Sequence, residues 1–420
     1  MQVPETVKTY GLIAVLIIGS FLVAAQFIDP APPSSLTIAA GNPKGDYYRF
    51  AQLYKSRLAE DGIEATVLET AGSTENARLL HSGDADVAFI QSGVDLSSDN
   101  GEIEALGSVY YEPLWVFMKG SAGGKDLKAL EGKSVSLGAP GSGTQTIAKN
   151  LLQAVNVSVV DSGLSGQDAV DALSEGRIDA LFIVGTVTNK LLKPLISDET
   201  LTLLSFERAD AFTRNFPYLS QTNLSEGVFD LANNLPTNDV TLISPVAQLV
   251  VRTDLNGAIK TLLVGKAHQL HGKADIFTKK GSFPSPNFVD FPLAHEAEIY
   301  FEHGPGFFQR VLPFWLADTL NRMVVMLIPL IGVMFPLLKV ASPAYKWRTR
   351  SRIYKWYRGL NQTEEAAQST DCAMEETLAQ LDHIEAEVKK TEVPLSYAEE
   401  LYNLRQHIRL IRERIKSKQQ

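Results

Sequence analysis

Four short segments rich in glycine and hydroxyl residues stand where predicted strands end. They are residues 41–45 (GNPKG), 72–74 (GST), 141–144 (GSGT) and 185–188 (GTVT). Glycine lets the backbone approach a ligand, and free N–H groups at the start of a following helix attract anions. Ordinary turns and helix caps use the same residue types, so one such segment alone is weak evidence. Four at the same sheet edge predict a cleft that binds an anion, and we expect a carboxylate.

The motifs that could support catalysis are incomplete. Residues 138–144 have the spacing of a phosphate-binding loop, but Thr144 stands where the lysine that reaches the phosphates would be. Ser142 lacks the flanking glycines of a nucleophile elbow, because Pro140 and Thr144 occupy those positions. The histidines at 268, 271, 295 and 303 lack a His-Glu-x-x-His pattern. We therefore expect no enzymatic activity, no metal and no cofactor.

Strands and helices alternate along the chain, and the alternation occurs twice. Predicted strands are residues 36–40, 65–69 and 87–91, and then residues 134–137, 157–160 and 180–184. Strands separated by helices of this length are typical of a parallel α/β sheet. We predict an α/β body of two lobes, with lobe 1 at about 31–113 and 245–300 and lobe 2 at about 114–244. The chain would cross between the lobes near Pro113 and Pro245.

An ordered set of motifs resembles one receptor family. The motifs are residues 41–48 (GNPKGDYY), 70–76 (TAGSTEN), 80–92 (LHSGDADVAFIQS) and 130–144 (LEGKSVSLGAPGSGT). Together they resemble the TAXI solute receptors, which are the extracytoplasmic binding proteins of TRAP transporters. The resemblance covers roughly residues 36–303. It implies a type II periplasmic-binding-protein fold that closes on a small organic acid or amino acid and delivers it to a membrane permease.

The matching motifs carry a set of candidate ligand-binding residues. The tyrosines would supply a rigid surface with a hydroxyl, and the amides both donors and acceptors, which suits an amino acid. Packing of the first helix on its sheet is the alternative role for the tyrosines. The candidates are Tyr47, Tyr48, Ser73, Asn76, Gln91, Ser92, Gly141, Ser142, Gly143 and Thr144.

Two uncharged runs lie on either side of the α/β body, which we place at residues 31–310. Residues 10–28 are close to the roughly 20 needed for a helix to cross a bilayer, so residues 1–30 are either a transmembrane anchor or a signal peptide cleaved near residues 23–25. Residues 323–338 form the second run, and we predict a transmembrane segment at 311–340. A buried core helix is the alternative.

Charge predicts the orientation in the membrane. Seven basic residues and no acid lie between residues 339 and 358, interleaved with tyrosine and tryptophan. Such a belt, at 341–360, marks the cytoplasmic side of a span. We therefore predict a bacterial inner-membrane protein with its α/β body in the periplasm, its 361–420 tail in the cytoplasm and its one cysteine, Cys372, on the reducing side. The net charge of −9 argues against nucleic-acid binding.

The tail carries a regular apolar stripe. It consists of Leu401, Leu404, Ile408, Ile411 and Ile415, whose 3-4 spacing is typical of a coiled coil or helical hairpin. The shorter apolar face at residues 378–388 would cover this stripe only partly. The tail is therefore predicted to contact a partner or a second copy of the chain.

These observations predict a membrane-anchored extracytoplasmic receptor for a small carboxylate-bearing ligand, working with a TRAP-type permease. The tail departs from the TAXI pattern, because familiar TAXI receptors end after the second lobe. The alternative function is therefore a ligand sensor or assembly scaffold, in which closure of the outer body alters packing of the tail.

Overall fold

The computed structural model divides the chain into two compact units. The α/β unit spans Asp29–Arg322, and the helical unit combines Met1–Ile28 with Met323–Gln420. The structure describes residues 30–94, 101–120, 126–368, 374–391 and 393–417, together with residues 15, 18–19, 21–23 and 26.

Twelve strands and twelve helices are named here within the described residues. The strands are β1 Ser35–Ala39, β2 Glu64–Leu68, β3 Val87–Gln91, β4 Ile103–Tyr111, β5 Leu114–Lys119, β6 Ser134–Ser136, β7 Val160–Asp161, β8 Ala180–Val184, β9 Leu201–Leu203, β10 Ser220–Leu224, β11 Val240–Ser244 and β12 Val246–Arg252. The helices are α1 Asp46–Ala59, α2 Ser73–Ser82, α3 Gly143–Ala154, α4 Gly166–Ser174, α5 Leu192–Ile196, α6 Ala209–Asn215, α7 Gly257–His271, α8 His295–His303, α9 Phe307–Val311, α10 Phe314–Gln368, α11 Met374–Lys389 and α12 Ala398–Ser417.

The two five-stranded sheets of the α/β unit share one topology. Lobe 1 has the strand order β2-β1-β3-β12-β4, and lobe 2 has the order β7-β6-β8-β5-β9. In each sheet the first three strands are parallel, and the fourth is antiparallel to both of its neighbours. A separate antiparallel pair, β10 and β11, accompanies lobe 2. The predicted two-lobed α/β fold of the type II periplasmic-binding-protein kind is confirmed.

Both sheets are buried on two faces. Strand β3 is buried along its whole length, which explains its uninterrupted apolar run. Phe89 packs in one apolar cluster of lobe 1, and its neighbours Ala88 and Ile90 pack in another on the opposite face. Val116 and Trp115 divide in the same way between two clusters of lobe 2. Each lobe therefore has its own core, and the strand ends are free to carry polar residues.

The lobes are joined by two adjacent passages of the chain. The first runs from β4 through Glu112 and Pro113 into β5, and the second returns through Pro245 into β12. The Glu112 N–H donates to the Pro245 carbonyl (2.9 Å), so the passages are bonded to each other. Beside them, Ser92 Oγ accepts from the Val246 N–H and donates to the Tyr218 carbonyl (both 3.0 Å). These contacts form the hinge of the α/β unit.

The prediction of transmembrane helices is wrong for the described residues, none of whose helices is long and apolar enough to cross a membrane. Residues 323–338 lie within the 55-residue helix α10, which continues into the basic segment. An uncharged run of this length rises only about 24 Å as a helix, short of the roughly 30 Å of a hydrocarbon core. Arg322 and Lys339 close it at its ends. Most of residues 10–28, and Cys372, lie outside the described residues.

The helical unit also corrects the expected exposure of the tail. Helices α11 and α12 pack with the end of α10 around one apolar core. Leu404, Ile408 and Ile411 of the predicted stripe are 0%, 1% and 1% exposed. Ile353 and Leu360 of α10 share that core, in a segment that sequence analysis interpreted as a juxtamembrane belt. The stripe is therefore already covered within the chain.

Candidate functional site

The glycine-rich segments meet in pairs across the space between the lobes, which we call the cleft. Gly72, at φ +124°, starts helix α2 so close to lobe 2 that a Cβ atom there would lie 4.0 Å from Ser142 Cα. A Cβ atom on Gly143 would lie only 2.4 Å from Oε1 of Gln91 in lobe 1. The 185–188 segment bonds to Asp46, the residue that directly follows the 41–45 segment. The structure thus brings the 72–74 and 141–144 segments together, as their strand-end positions predicted, and joins the other two regions through Asp46.

Asp46 forms a latch between the lobes. Its Oδ2 accepts from the Thr186 N–H (2.9 Å), and its Oδ1 accepts from Arg49 Nη2 (3.0 Å). The same Arg49 nitrogen donates to Thr188 Oγ1 of lobe 2 (2.9 Å). The Asp46 side chain is only 9% exposed, so its bond to Thr186 is largely shielded, whereas the Arg49 side chain is 43% exposed. These bonds hold the cleft closed in this structure.

The start of helix α3 is an anion-binding arrangement on lobe 2. Ser142 caps the helix by accepting from the Gln145 N–H (3.3 Å), while Gly141 (φ +76°) makes the preceding turn. The N–H groups of Gly143 and Thr144 have no hydrogen-bond partner among the described residues. The helix dipole adds partial positive charge at the same point. This end of the cleft therefore favours a carboxylate or another anion.

Gln91 faces that helix start from lobe 1. The residue is 3% exposed, and its side-chain Nε2 has no hydrogen-bond partner among the described residues. A buried amide without a partner costs roughly 1–3 kcal/mol, so such groups are normally paired. Its contact with Gly143 places the unpaired donor beside the two unpaired N–H groups. A bound carboxylate would give all three donors an acceptor.

Tyr47 and Glu112 form a second polar group in the cleft. The Tyr47 hydroxyl donates to Glu112 Oε2 (2.9 Å), and the tyrosine ring stacks on Phe89 at 5.6 Å between centroids. Glu112 is 5% exposed, and burial raises the pKa of its carboxyl to about 8, with Asp46 adding to the rise and the Tyr47 bond opposing it. Burial also raises the pKa of the Tyr47 hydroxyl well above its usual value. Both groups therefore hold their protons at neutral pH.

Several predicted site residues have their polar atoms occupied by the fold. Asn76 Nδ2 donates to the Ala40 and Phe89 carbonyls (2.6 and 2.7 Å), and its Oδ1 accepts from Thr70 Oγ1. Ser92 belongs to the hinge, and Thr144 Oγ1 accepts from the Val184 N–H (3.3 Å). These side chains therefore position the cleft walls, and of Thr144 only the backbone N–H is left without a partner in the described part of the chain.

The remaining predicted residues divide between the wall and the core. Ser73 Oγ accepts from the Gln91 N–H (3.0 Å), and Ser73 also acts to lower the pKa of the nearby Tyr47 hydroxyl, so it lies between the two polar groups of the cleft. Tyr48 packs against the lobe 1 core, which agrees with the alternative role considered for it. The residues that the structure brings together at the cleft are therefore Tyr47, Ser73, Gln91, Ser142, Gly143 and the Thr144 N–H.

Sequence reasoning missed Glu112 and Asp46. Glu112 directly precedes Pro113, the residue proposed for the crossing, and an acid at the end of an apolar strand was an available signal. Asp46 lies in the first turn of α1, where an acid is expected simply to stabilise the helix. Nothing in the local sequence indicates that its carboxylate reaches Thr186.

Other features lie away from this cleft. Two surface concavities of about 420 and 330 Å³ are lined mainly by helices α7, α8 and α9, and contain none of the predicted site residues. No group of three or more potential metal ligands occurs among the described residues. His271 is buried against Tyr110 in lobe 1, and burial lowers its pKa to about 3. We therefore place the candidate site at the cleft, where the buried Gln91 Nε2 and the unpaired N–H groups of α3 converge.

The sequence model of the NMT1-like family matches residues 38–260, slightly more than half of the chain. The chain belongs to the NMT1-like family. The match runs from β1 into α7 and so includes every residue of the cleft described above. Membership confirms the prediction of a solute-binding protein.

Solved structures similar to this NMT1-like chain are distant. The regulatory domain of CcmR from Synechocystis PCC6803, in complex with 2-PG, is 14% identical over 57% of this chain and 98% of its own, with a TM-score of 0.38. A protein from Bordetella bronchiseptica RB50 is 18% identical over 71% and 91%, with a TM-score of 0.41. Tv2483 bound to L-arginine is 13% identical over 56% and 83%, with a TM-score of 0.35.

Proposed function

We propose that this NMT1-like protein binds a small carboxylate-bearing molecule in the closed cleft and delivers it to a TRAP-type permease. The observation that carries the binding proposal is the unpaired Gln91 Nε2 at the start of helix α3. The ligand carboxylate would accept from Gln91 Nε2 and from the N–H groups of Gly143 and Thr144. Tyr47 would form the opposite wall.

Closure around the ligand follows from the latch. The bonds of Asp46 to Thr186 and of Arg49 to Thr188 join the lobes only when the cleft is shut. A ligand that bridges Gln91 of lobe 1 and α3 of lobe 2 would add to them and shift the equilibrium towards the closed state. A free ligand concentration of 100 times the dissociation constant adds about 2.7 kcal/mol to the free energy of unfolding.

Isothermal titration calorimetry of the full chain with amino acids and organic acids tests binding. Gln91→Ala should weaken the affinity of the best ligand about 10-fold or more, because it removes a buried hydrogen bond to a charged group. Gln248→Ala is the matched control: that glutamine is equally buried but bonds to Asp290 in the described structure. Equal losses of affinity in both variants would contradict the proposed site.

Delivery to a permease is the finer part of the proposal. Its support is the resemblance of the cleft motifs to those of TAXI receptors. The absence of cysteine from residues 31–322 also fits a location outside the cytoplasm, in a bacterial periplasm. Uptake of the ligand in cells that carry a TRAP-type permease should require this protein. Transport that is unchanged by its deletion would contradict delivery without affecting the binding proposal.

The sensor or scaffold alternative has less support. It needs a surface on the tail that responds to a partner, and the stripe that suggested one is buried in the core of the helical unit. We therefore do not propose it, and we propose no oligomer through the tail.

A further inference from the structure

We propose that Glu112 and Tyr47 form a subsite for a ligand ammonium group, so that the ligand is an amino acid rather than a plain carboxylic acid. The inference rests on the proposed function, because it adds a second contact point to the same bound molecule. It assigns a role to Glu112, which the carboxylate site leaves unused.

Glu112 is a buried acid without a cation. Its only hydrogen-bond partner at the carboxyl, among the described residues, is the Tyr47 hydroxyl on Oε2, and no lysine, arginine or histidine forms an ion pair with it. Acids are almost never fully buried unless they are paired. Oε1 has no partner among the described residues, so this oxygen is free to accept once the carboxyl ionises. A ligand ammonium group supplies both the missing cation and the missing donor.

The surrounding charges leave that role to the ligand. Asp46 and Tyr47 face Glu112 from α1, and Tyr110 faces it from β4. The nearby cation, Arg49, already bonds Asp46 and Thr188 and lies 4.2 Å from the centre of the Phe50 ring. Arg49 therefore serves the latch. The side of the cleft nearest Glu112 therefore has acidic groups and, among the described residues, no cation left for Glu112, in contrast to the donors at the helix start near Gln91.

The two subsites lie on one continuous wall. Glu112 bonds Tyr47, and the Tyr47 ring stacks on Phe89 of β3. Gln91 lies two residues further along the same face of β3, where its N–H donates to Ser73 Oγ. Along this path the cleft changes from the Glu112 carboxyl, which becomes an unpaired acceptor once it ionises, to unpaired donors at Gln91 and α3. A zwitterion matches that order, with its ammonium group at Glu112 and its carboxylate at α3. A dicarboxylate would place a second negative group against an acid that Asp46 already makes harder to ionise.

Binding of an ammonium group at this subsite should release a proton from Glu112. In the free protein Glu112 is protonated at pH 7, since its pKa is about 8. An ammonium group beside it favours the ionised carboxylate, so the pKa falls and the proton leaves. Calorimetry of an amino acid at pH 7, in two buffers of different ionisation enthalpy, should therefore show close to one proton released per molecule bound. The matching acid without an amino group should release none.

The deciding experiment titrates the full chain with the twenty standard L-amino acids and with each of their deaminated counterparts. We expect the tightest amino acid to bind about 10–100-fold more strongly than its deaminated form, and Glu112→Gln to remove most of this preference together with the proton release. Glu104→Gln is the control, because that acid pairs with Lys260 away from the cleft and should leave both unchanged.

Each other outcome contradicts a defined statement. Equal or tighter binding of the deaminated acid overturns the ammonium subsite and leaves the carboxylate receptor intact. Failure of both sets to bind overturns the proposed function and, with it, the subsite. If Glu112→Gln does not fold, the wild-type protein still tests the subsite. A glutamate with only a structural role would release the same number of protons with the amino acid as with its deaminated form.

Discussion

The two lobes have the same sheet topology but bring different chemistry to the cleft. Lobe 1 contributes side chains, namely Tyr47, Gln91 and Glu112, whose polar ends remain partly unpaired. Lobe 2 contributes backbone, through the N–H groups at the start of α3 and the Thr186 N–H that binds Asp46. Backbone donors recognise a carboxylate of any molecule, whereas side chains distinguish one ligand from another. Substitutions at Glu112 of lobe 1 should therefore change selectivity, and substitutions at the start of α3 in lobe 2 should change affinity for all ligands alike.

The largest expected effect is on stability and concerns Glu112 of lobe 1. The folded protein keeps this carboxyl protonated up to about pH 8, whereas an unfolded glutamate ionises near 4.5. Between these values the folded state binds more protons, so stability falls as the pH rises. Glu112→Gln should match the wild type at pH 4.5 and exceed it by on the order of 4 kcal/mol at pH 8.5 without ligand. Chemical denaturation at both pH values measures this. A difference independent of pH would contradict it.

A methyl group on lobe 2 should have the next largest effect. The Cβ atom of Gly143→Ala would lie 2.4 Å from Gln91 Oε1, so the buried amide must move away from the carboxylate position. We expect about a 100-fold loss of affinity, equivalent to roughly 2.7 kcal/mol, for every ligand that binds. Gly265→Ala in α7 is the control, because its Cβ would lie 3.8 Å from the nearest atom. Loss of affinity for only some ligands would place selectivity in lobe 2 as well.

Opening the latch should cost less than blocking the site. Asp46→Ala removes the acceptor of Thr186, and we expect affinity to fall about 5–10-fold, as for one or two partly exposed hydrogen bonds. Trp115 reports the change, because its indole donates to the carbonyl of Gly185 beside Thr186 (2.9 Å). Its ligand-induced fluorescence change should grow in Asp46→Ala, since more molecules begin open. An unchanged amplitude would show that the latch does not set the open population.

The smallest effect should come from Thr188→Val. Thr188 is exposed; its Oγ1 accepts from Arg49 (2.9 Å), donates to Asp46 Oδ1 at 3.4 Å and lies 2.7 Å from Thr186 Oγ1. Because these bonds are exposed to solvent, their loss should reduce affinity less than about threefold. Titration at low and high salt checks this, and the difference from the wild type should shrink as salt screens the arginine. A loss as large as that of Asp46→Ala would make Arg49, rather than Asp46, the centre of the latch.

Local patterns were sufficient to predict the parallel strands β1, β2, β3, β6 and β8, the two lobes and the meeting of the 72–74 and 141–144 segments. Strand β3 and the 141–144 segment have clear local signatures, of uninterrupted apolar residues and of a helix start. The role of a polar side chain depends instead on partners distant in sequence. The Asn76 amide donates to the carbonyl of Ala40, 36 residues away, and the Asp46 carboxylate accepts from Thr186, 140 positions later. No local sequence pattern indicates partners so far apart in the chain.

The tail illustrates a second reason for error. The stripe on α12 was predicted correctly as an apolar face, but its covering helix was not. The covering residues of α10 lie in a strongly basic stretch, where charge dominated the interpretation. Ile353 and Leu360 are 1% and 0% exposed although basic residues surround them in sequence. A helix can carry a basic face and an apolar one at once, and only packing shows which face is used.

The position of β12 has a consequence for synthesis of the protein. Lobe 2 is one continuous stretch of chain, whereas the lobe 1 sheet needs β12 between β3 and β4. About 135 residues separate the end of β4 from the start of β12, so at 5–20 residues per second the ribosome takes roughly 7–27 seconds to supply it. During that interval β3 and β4 each present an edge without its final neighbour. The lobe that is begun first is therefore finished last, and it is the emerging chain's main point of vulnerability to aggregation.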